Sequence, residues 1–335
     1  MLHGPLPCLF TFGSELANER TRLRLLFGCC LRKHMNRKFR QAVRWAGAAL
    51  CALAGSAFAA EASTPVEIEF AAVVGAEPAS CTTTYRDVGS SHAAMFLQDF
   101  RIYVSAIRVI AADGGEVPVT LSPDGIWQND RVVLLDFENG TGNCNGNAPM
   151  NHRVKGSVPP GTYRGIVFEI GVPFELNHQD PTRAAAPLNF SALTWPWQIG
   201  YKFTTIDFDT KPAGERTLVP VEGMNAKTSA TGFSVHLGSM QCASSGPRVP
   251  PAAPCGSPNR PVYRFEDFDP TKQVLVLDLG ALLAGTDVTQ NMPGSPSGCM
   301  SGIGDDDCID IMNRFGLSFR GKPSTGQQFV RVAAQ

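Results

Sequence analysis

The side chains of this 335-residue sequence best suited to chemistry are histidines that lie far apart along the chain. Imidazole nitrogen is a ligand for copper and zinc, and a site with several histidines and no free thiolate suits copper better than structural zinc. Three histidines are candidate metal ligands: His92, His178 and His236. Each one taken alone fits an ordinary surface or hydrogen-bonded imidazole better than a metal ligand.

His236 has the most informative surroundings of the three. In the run FSVHL, the apolar residues Phe233, Val235 and Leu237 share one face of a predicted strand. His236 then projects from the other face, away from the core. A strand is a rigid platform for a metal ligand, although an exposed imidazole with no ligand is equally compatible with that position.

The other histidines have weaker local patterns. His92 has Met95 three residues later, and a thioether with an imidazole is a soft pair that favours Cu(I), although Met95 also fits as a core side chain. His178 follows a predicted strand in a loop that contains the turn former Asn177. His152 has no such setting and is not a candidate.

Three tryptophans lie in the body of the chain. Trp127 stands alone in the run DGIWQ, whereas Trp195 and Trp197 flank a proline directly before a predicted strand. Indoles usually indicate core packing. In a copper protein they can also be redox partners or substrates for oxidation.

The sequence carries none of the local motifs of common enzymes. The nucleophile elbow GxSxG, the phosphate loop GxxxxGK[ST] and the zinc motif HExxH are all absent. A catalytic triad assembled from distant positions leaves no such pattern. The acidic run from Asp305 to Asp307 misses the EF-hand spacing and is interpreted as a solvated turn rather than a calcium site. The protein is predicted not to be an enzyme.

The N-terminal region, residues 1–60, predicts export. From about Met35 to residue 60 a basic stretch, a short apolar run and small residues follow in the order of a signal peptide. The apolar run is shorter than the roughly 20 residues of a membrane-spanning helix, so the mature protein is predicted to have no membrane span. The alternative is a genuine extension before Met35, with the apolar run kept as a membrane anchor.

The charge of the remaining chain excludes one class of partner. Residues 1–60 hold nine of the 29 Lys and Arg but two of the 30 Asp and Glu, which leaves 20 basic and 28 acidic groups and a formal charge of −8. An acidic chain with no basic cluster is poorly suited to binding phosphates. Nucleic acid is therefore not an expected partner.

Six cysteines follow residue 60, and an even number in an exported chain predicts three disulfides. The sequence alone allows 15 pairings. The favoured set joins neighbours along the chain and leaves one long-range bond: Cys242 with Cys255, Cys299 with Cys308, and Cys81 with Cys144. A thiolate metal cluster is the rival, but no spacing is CxxC.

The pattern of the chain predicts an all-β fold. Val66, Ile68 and Phe70 alternate with glutamates, which places the apolar set on one face of a strand. Further strands are predicted over residues 100–111, 131–137, 162–172, 200–208, 232–237 and 273–279. Residues 279–283 and 308–315 predict short helices. We expect a single domain over residues 61–335, an antiparallel β-sandwich with long disulfide-tied loops and one or two short helices.

Several stretches together resemble one family, the MbnP-like copper-binding proteins, also described as the four-cysteine member of the metallo-mystery pair. They occur in order over most of residues 65–315: DFRIYVSAIRVI, GIWQND, VVLLDFENGTGNC, GVPFELNHQD, PLNFSALTWPWQIGYKF, VHLGSMQC, CGSPNR and GCMS. Each stretch is weak alone, but the ordered series is specific.

The resemblance implies a copper protein, with copper as Cu(I), in the periplasm or at the outer cell surface. It also implies a partner, a dihaem MauG-like homologue of cytochrome c peroxidase, which oxidises one tryptophan to kynurenine. On this basis Trp127 is the expected modified residue and metal ligand, with His92 and His236 as the firmest ligands and His178 as a third. The matching WxW segment implies a packing or electron-relay role for its two indoles.

The resemblance also implies that the four cysteines of the family name are Cys242, Cys255, Cys299 and Cys308. Two alternatives for function remain. One is an electron-transfer component of an oxidoreductase pair. The other is a surface β-sandwich that binds no metal.

Overall fold

A computed structural model describes residues 63–220 and 227–335. The predicted signal peptide lies outside these residues. The residues described after position 62 belong to one compact unit. No helix within the described residues is both long enough and apolar enough to span a membrane.

The described chain is mostly β-structure, which confirms the predicted fold class. Its strands are β1 Thr64–Val74, β2 Glu77–Pro78, β3 Thr84–Val88, β4 Ala93–Ala111, β5 Glu116–Pro118, β6 Thr120–Leu121, β7 Val132–Asp136, β8 Arg153–Val158, β9 Tyr163–Ile170, β10 Thr204–Asp209, β11 Leu218–Pro220, β12 Lys227–Ser229, β13 Gly232–Val235, β14 Val262–Phe265, β15 Gln273–Asp278, β16 Gly298–Cys299 and β17 Val330–Ala334. The helices are α1 Phe174–Asn177, α2 Leu279–Leu283 and α3 Cys308–Phe315, with 3₁₀ turns at Ser191–Leu193 and Ala213–Glu215.

The strands form two large sheets and a small β11–β12 hairpin. Sheet one has the order β17-β15-β1-β8-β6, with β2 beside β1. Sheet two has the order β14-β9-β4-β10-β13-β16, and β3, β5 and β7 also pair with β4. Most pairs are antiparallel as predicted, but β1 with β15 and β13 with β16 are parallel. The sheets are therefore mixed.

The apolar faces of the two sheets meet in one core. In β1 the buried positions alternate from Ile68 to Val74, as the sequence pattern predicts. The ring of Phe70 in sheet one meets the ring of Phe168 in sheet two edge to face, with centroids 5.4 Å apart. Both rings are fully buried. The sandwich is thus held by apolar area removed from water across the two layers.

A long connection covers the other face of sheet two. Residues 171–203 link β9 to β10 and pack against the side of β4 opposite Phe100 and Ile102. Tyr103 donates a hydrogen bond to the carbonyl of Pro187 at 2.9 Å, and its ring lies 5.8 Å from that of Tyr201. Side chains on this face are therefore buried although they lie outside the sandwich core.

The three favoured disulfides are all present. They join Cys81 with Cys144, Cys242 with Cys255, and Cys299 with Cys308. The predicted helices 279–283 and 308–315 match the observed bounds of α2 and α3.

Candidate metal-binding site around His236

His236 directly follows β13, and two hydrogen bonds to a neighbouring segment fix its backbone. Its amide N–H donates to the carbonyl of Cys299 at 2.9 Å. Its own carbonyl accepts a hydrogen bond from the Ser301 hydroxyl at 3.0 Å. Because Val235 and Leu237 point into the core, the imidazole projects from the opposite face, as the alternation predicts. The covering segment leaves it only 6 % exposed, so it is not a surface residue.

The two nitrogens of this imidazole have different surroundings. Nε2 lies 2.8 Å from Oδ1 of Asp207, which sits on the neighbouring strand β10. Nδ1 is buried and has no hydrogen-bond partner. Since the carboxylate accepts, Nε2 carries a proton. Nδ1 presents its lone pair in the tautomer that has its only proton on Nε2. An orphaned buried acceptor costs free energy unless a donor or a cation satisfies it.

Asp207 is an ionised carboxylate in this setting. Burial acts to raise its pKa, but the facing His236 imidazole, the Ser234 hydroxyl and the Lys202 ammonium outweigh burial and lower the pKa to about 2. Ser234 donates to the same Oδ1 at 2.5 Å. The carboxylate is therefore available near neutral pH to orient the ring of His236.

Trp195 lies beside His236 and covers it. The two ring centroids are 6.3 Å apart with a tilt of 58°. Gly238 provides the space for this indole, because a Cβ at that position would meet Cζ3 of Trp195 at 2.3 Å. The structure thus brings a tryptophan to the orphaned imidazole, but it is one that the sequence assigned to packing or electron relay.

His178 is buried beside the same segment and is already engaged. Its Nδ1 lies 2.8 Å from the carbonyl of Trp197, so this nitrogen donates. Its Nε2 lies 3.3 Å from Nδ2 of Asn177, an amide donor. Burial lowers the pKa of His178, more than the Trp197 carbonyl raises it, so the ring is neutral. With both nitrogens satisfied, His178 is suited to holding the Trp197 turn.

His92 lies far from this site. It occupies the turn between β3 and β4 with a left-handed φ of 52°, and its Nδ1 pairs with the exposed Asp87 carboxylate at 2.5 Å. The β4–β10 and β10–β13 registers place His236 level with Arg101. Eight residues of β4 separate Ala93 from Arg101, which corresponds to about 26 Å along the strand. The structure does not bring His92 and His236 together.

Trp127 is also separated from His236. It lies in the turn whose amides donate to Asp124, and its ring stacks on Phe190 with centroids 6.5 Å apart. Neighbouring backbones connect Trp127 to Leu237 in four steps. Trp127 pairs with Leu134, Leu134 with Tyr103, Tyr103 with Phe203, and Phe203 with Leu237. This path of four strand spacings from Trp127 to Leu237 is about 19 Å long.

Two other groups of metal-capable side chains occur among the described residues. One contains His178 with Cys242 and Cys255, and the other contains Glu138 with Cys81 and Cys144. In both groups the cysteines form a disulfide with each other and offer no thiolate. These groups are therefore not thiolate metal clusters.

Sequence reasoning missed Asp207 and did not place Trp195 beside His236. Asp207 is one of two aspartates in the TTIDFD strand, and only the register with β13 singles it out. Trp195 lies nine residues before the start of β10, on a connection whose course has no local signal. The one sequence feature that drew attention to Trp195 was the WPW run itself.

These features define a disulfide-tied β-sandwich protein with a buried imidazole–carboxylate pair covered by an indole. The sequence profile of the MbnP family matches residues 63–301. The solved structure of MbnP from Methylosinus trichosporium aligns with a TM-score of 0.70 and 30% identity, covering 82% of this chain and 99% of that one. No curated protein gives a significant match. The chain belongs to the MbnP family.

Proposed function

We propose that this protein binds copper as Cu(I) after export, at a site centred on Nδ1 of His236. The observation that carries the proposal is that Nδ1 is buried without a hydrogen-bond partner while Nε2 is held by Asp207. Histidine ligands in metal sites commonly donate their other N–H to a carboxylate, which fixes the ring and raises the basicity of the coordinating nitrogen. The residues present fit a soft, nitrogen-preferring ion.

Trp195 is the tryptophan that we propose is oxidised to kynurenine. An intact indole offers only an N–H donor, whereas kynurenine carries an aniline nitrogen and a ketone oxygen. At Trp195 these new donor atoms arise beside the orphaned nitrogen of His236, since the two rings are 6.3 Å apart. At Trp127, the position that the family resemblance suggested, they would arise on a backbone that is four hydrogen-bonded neighbours removed from Leu237.

A dihaem peroxidase-like partner is the proposed source of the oxidising equivalents. Two molecules of hydrogen peroxide add two oxygen atoms across the C2–C3 bond of the indole and leave as two waters. Hydrolysis of the resulting formyl group then releases formate. The side chain has by then gained one oxygen and lost one carbon, a net increase of about 4 Da.

Copper binding rather than catalysis is the proposed role of the chain, in the periplasm or at the outer cell surface. Three disulfides suit an oxidising compartment. The buried nitrogen beside Trp195 can hold an ion. The groups around it, a carboxylate ionised near pH 7 and a covering indole, provide rigidity and exclusion of water.

Anaerobic Cu(I) titration of protein co-expressed with its dihaem partner tests the proposal. We expect the His236→Ala protein to lose the tightest bound equivalent, whereas His92→Ala, the control at an exposed histidine, keeps it. Peptide mapping should show the 4 Da increase on the Trp195 peptide and none on the Trp127 peptide. Unchanged tight binding in His236→Ala would exclude this site.

A further inference from the structure

A second set of soft ligands lies in the segment that leads into β8, outside the site already described. Met150 and His152 both lie just before β8, and the residue between them, Asn151, is held firmly by hydrogen bonds. Asn151 exchanges two backbone hydrogen bonds with Asp136, at 2.8 and 3.0 Å, and its side-chain amide donates to the carbonyl of Leu134 at 2.8 Å. The Met-Asn-His run is therefore a rigid extended segment.

In an extended segment, residues two apart project to the same side. Met150 and His152 both line two cavities, of about 320 and 280 Å³, together with the carboxylate residue Glu69 of β1. Asn151, Arg153 and Lys155 also line the larger of the two. Met150 is 44 % exposed, so its thioether is not committed to core packing. A thioether, an imidazole and a carboxylate thus converge on one open space.

The imidazole of His152 is held in place and incompletely satisfied. Its ring stacks on Phe137 with centroids 4.9 Å apart and planes within 19°, and its carbonyl accepts a hydrogen bond from the amide of Phe70 at 2.8 Å. Nε2 is buried and has no hydrogen-bond partner. A buried ring nitrogen without a partner costs free energy unless a donor or a cation satisfies it.

We propose that Met150 and His152 form a second site for a soft monovalent cation, Cu(I) or Ag(I), independent of the site at His236. Thioether sulfur and imidazole nitrogen are ligands that favour Cu(I). Glu69 lies at the rim, where its carboxylate pairs with Arg153 at 3.3 Å. An exposed second site suits capture of the ion from outside, whereas the buried site suits retention.

The test uses Cu(I) itself, titrated anaerobically into the full-length protein against a competing chelator. Wild type should bind two equivalents, and Met150→Leu and His152→Phe should each bind one. Leu keeps the volume of an exposed Met, and Phe keeps a ring over Phe137, so both variants retain the fold, which their thermal melting checks. His236→Ala should lose the other equivalent only, and His92→Ala should keep both.

X-ray absorption at the copper edge gives an independent readout. A sulfur scatterer should be present in wild type and in His236→Ala, and absent in Met150→Leu. The proposal is overturned if Met150→Leu and His152→Phe both keep two equivalents at unchanged affinity, or if wild type binds one equivalent that His236→Ala abolishes. In the second case the site at His236 stands and this one does not.

Discussion

The Nε2 atom of His236 lies 2.8 Å from Oδ1 of Asp207, and this hydrogen bond determines which imidazole nitrogen is free. Because Nε2 donates, Nδ1 is left buried with a lone pair and no partner. Trp195 covers the same ring. Everything proposed about copper at this site depends on that arrangement.

Replacing Asp207 with Asn should weaken Cu(I) binding at His236 by about 10- to 100-fold, the usual cost of losing a carboxylate behind a metal-ligating histidine. The amide can still accept through oxygen, but it no longer raises the basicity of the ring. Competition titration measures the affinity. Asp267→Asn, which removes one negative charge from an exposed position, is the matched control and should bind as wild type does.

Substituting Gly238 with Ala should displace Trp195, because the new Cβ would meet Cζ3 of the indole at 2.3 Å and the carbonyl of Tyr201 at 3.0 Å. We expect a loss of about 1–3 kcal/mol in the free energy of unfolding, together with a shifted tryptophan emission spectrum. Gly214→Ala is the control, since a Cβ there meets nothing within 4 Å. Equal melting temperatures and spectra for both variants would contradict the close contact.

The pH dependence of stability should carry the signature of Asp136. Burial is the main cause that raises its pKa to about 7, and nearby Glu138 and Asp99 also raise it while Arg101 lowers it. The unfolded carboxyl titrates near its usual value of 3.8. Between these values the folded state holds a proton that the unfolded state has lost, so stability is greatest at low pH and falls as the pH rises through 7.

The Asp136→Asn variant removes this titration. Its melting temperature should change less than that of wild type between about pH 4 and 7. Thermal melts at several pH values measure the difference, with Asp267→Asn again as the control. Parallel curves for wild type and Asp136→Asn would show that Asp136 ionises normally in the folded protein.

Removing the Cys242–Cys255 disulfide, as Cys242→Ser with Cys255→Ser, should loosen the loop on which the WPW turn rests. Gln198 donates from its side chain to the carbonyl of Cys242 at 3.1 Å and from its amide to that of Pro247 at 3.2 Å. A disulfide that closes a loop of this length adds about 3 kcal/mol to the free energy of unfolding. Iodide should quench tryptophan emission more strongly than in wild type.

The matched control is the pair Cys81→Ser with Cys144→Ser. It removes a disulfide that contacts a different loop, near Glu138. It should lower the melting temperature while leaving the quenching unchanged. If quenching increased in this control and not in the Cys242→Ser, Cys255→Ser variant, the indole that becomes exposed would not belong to the WPW turn.

Local patterns predicted much of the fold but little of the site. Alternation placed His236 off the core face, and the short helical patterns predicted at residues 279–283 and 308–315 match the bounds of α2 and α3. These features depend on neighbours along the chain. The length of β4, a 19-residue strand that begins at Ala93, was underestimated because its first residues have no strong apolar alternation.

The site could not be predicted because its members meet through long-range register. Asp207 faces His236 only because β10 and β13 pair with Ile206 opposite Val235. Trp195 arrives on a connection of about 30 residues that packs over sheet two. The same register carries His92 away from the site, so shared residue chemistry did not imply proximity.

Crystals of the copper-loaded protein, with anomalous data collected at the copper edge, test the central claim most directly. The account predicts an anomalous peak about 2.0 Å from Nδ1 of His236, with the altered side chain of Trp195 beside it. A copper-loaded crystal whose peaks all lie away from His236, with Nδ1 still unpartnered, would contradict it.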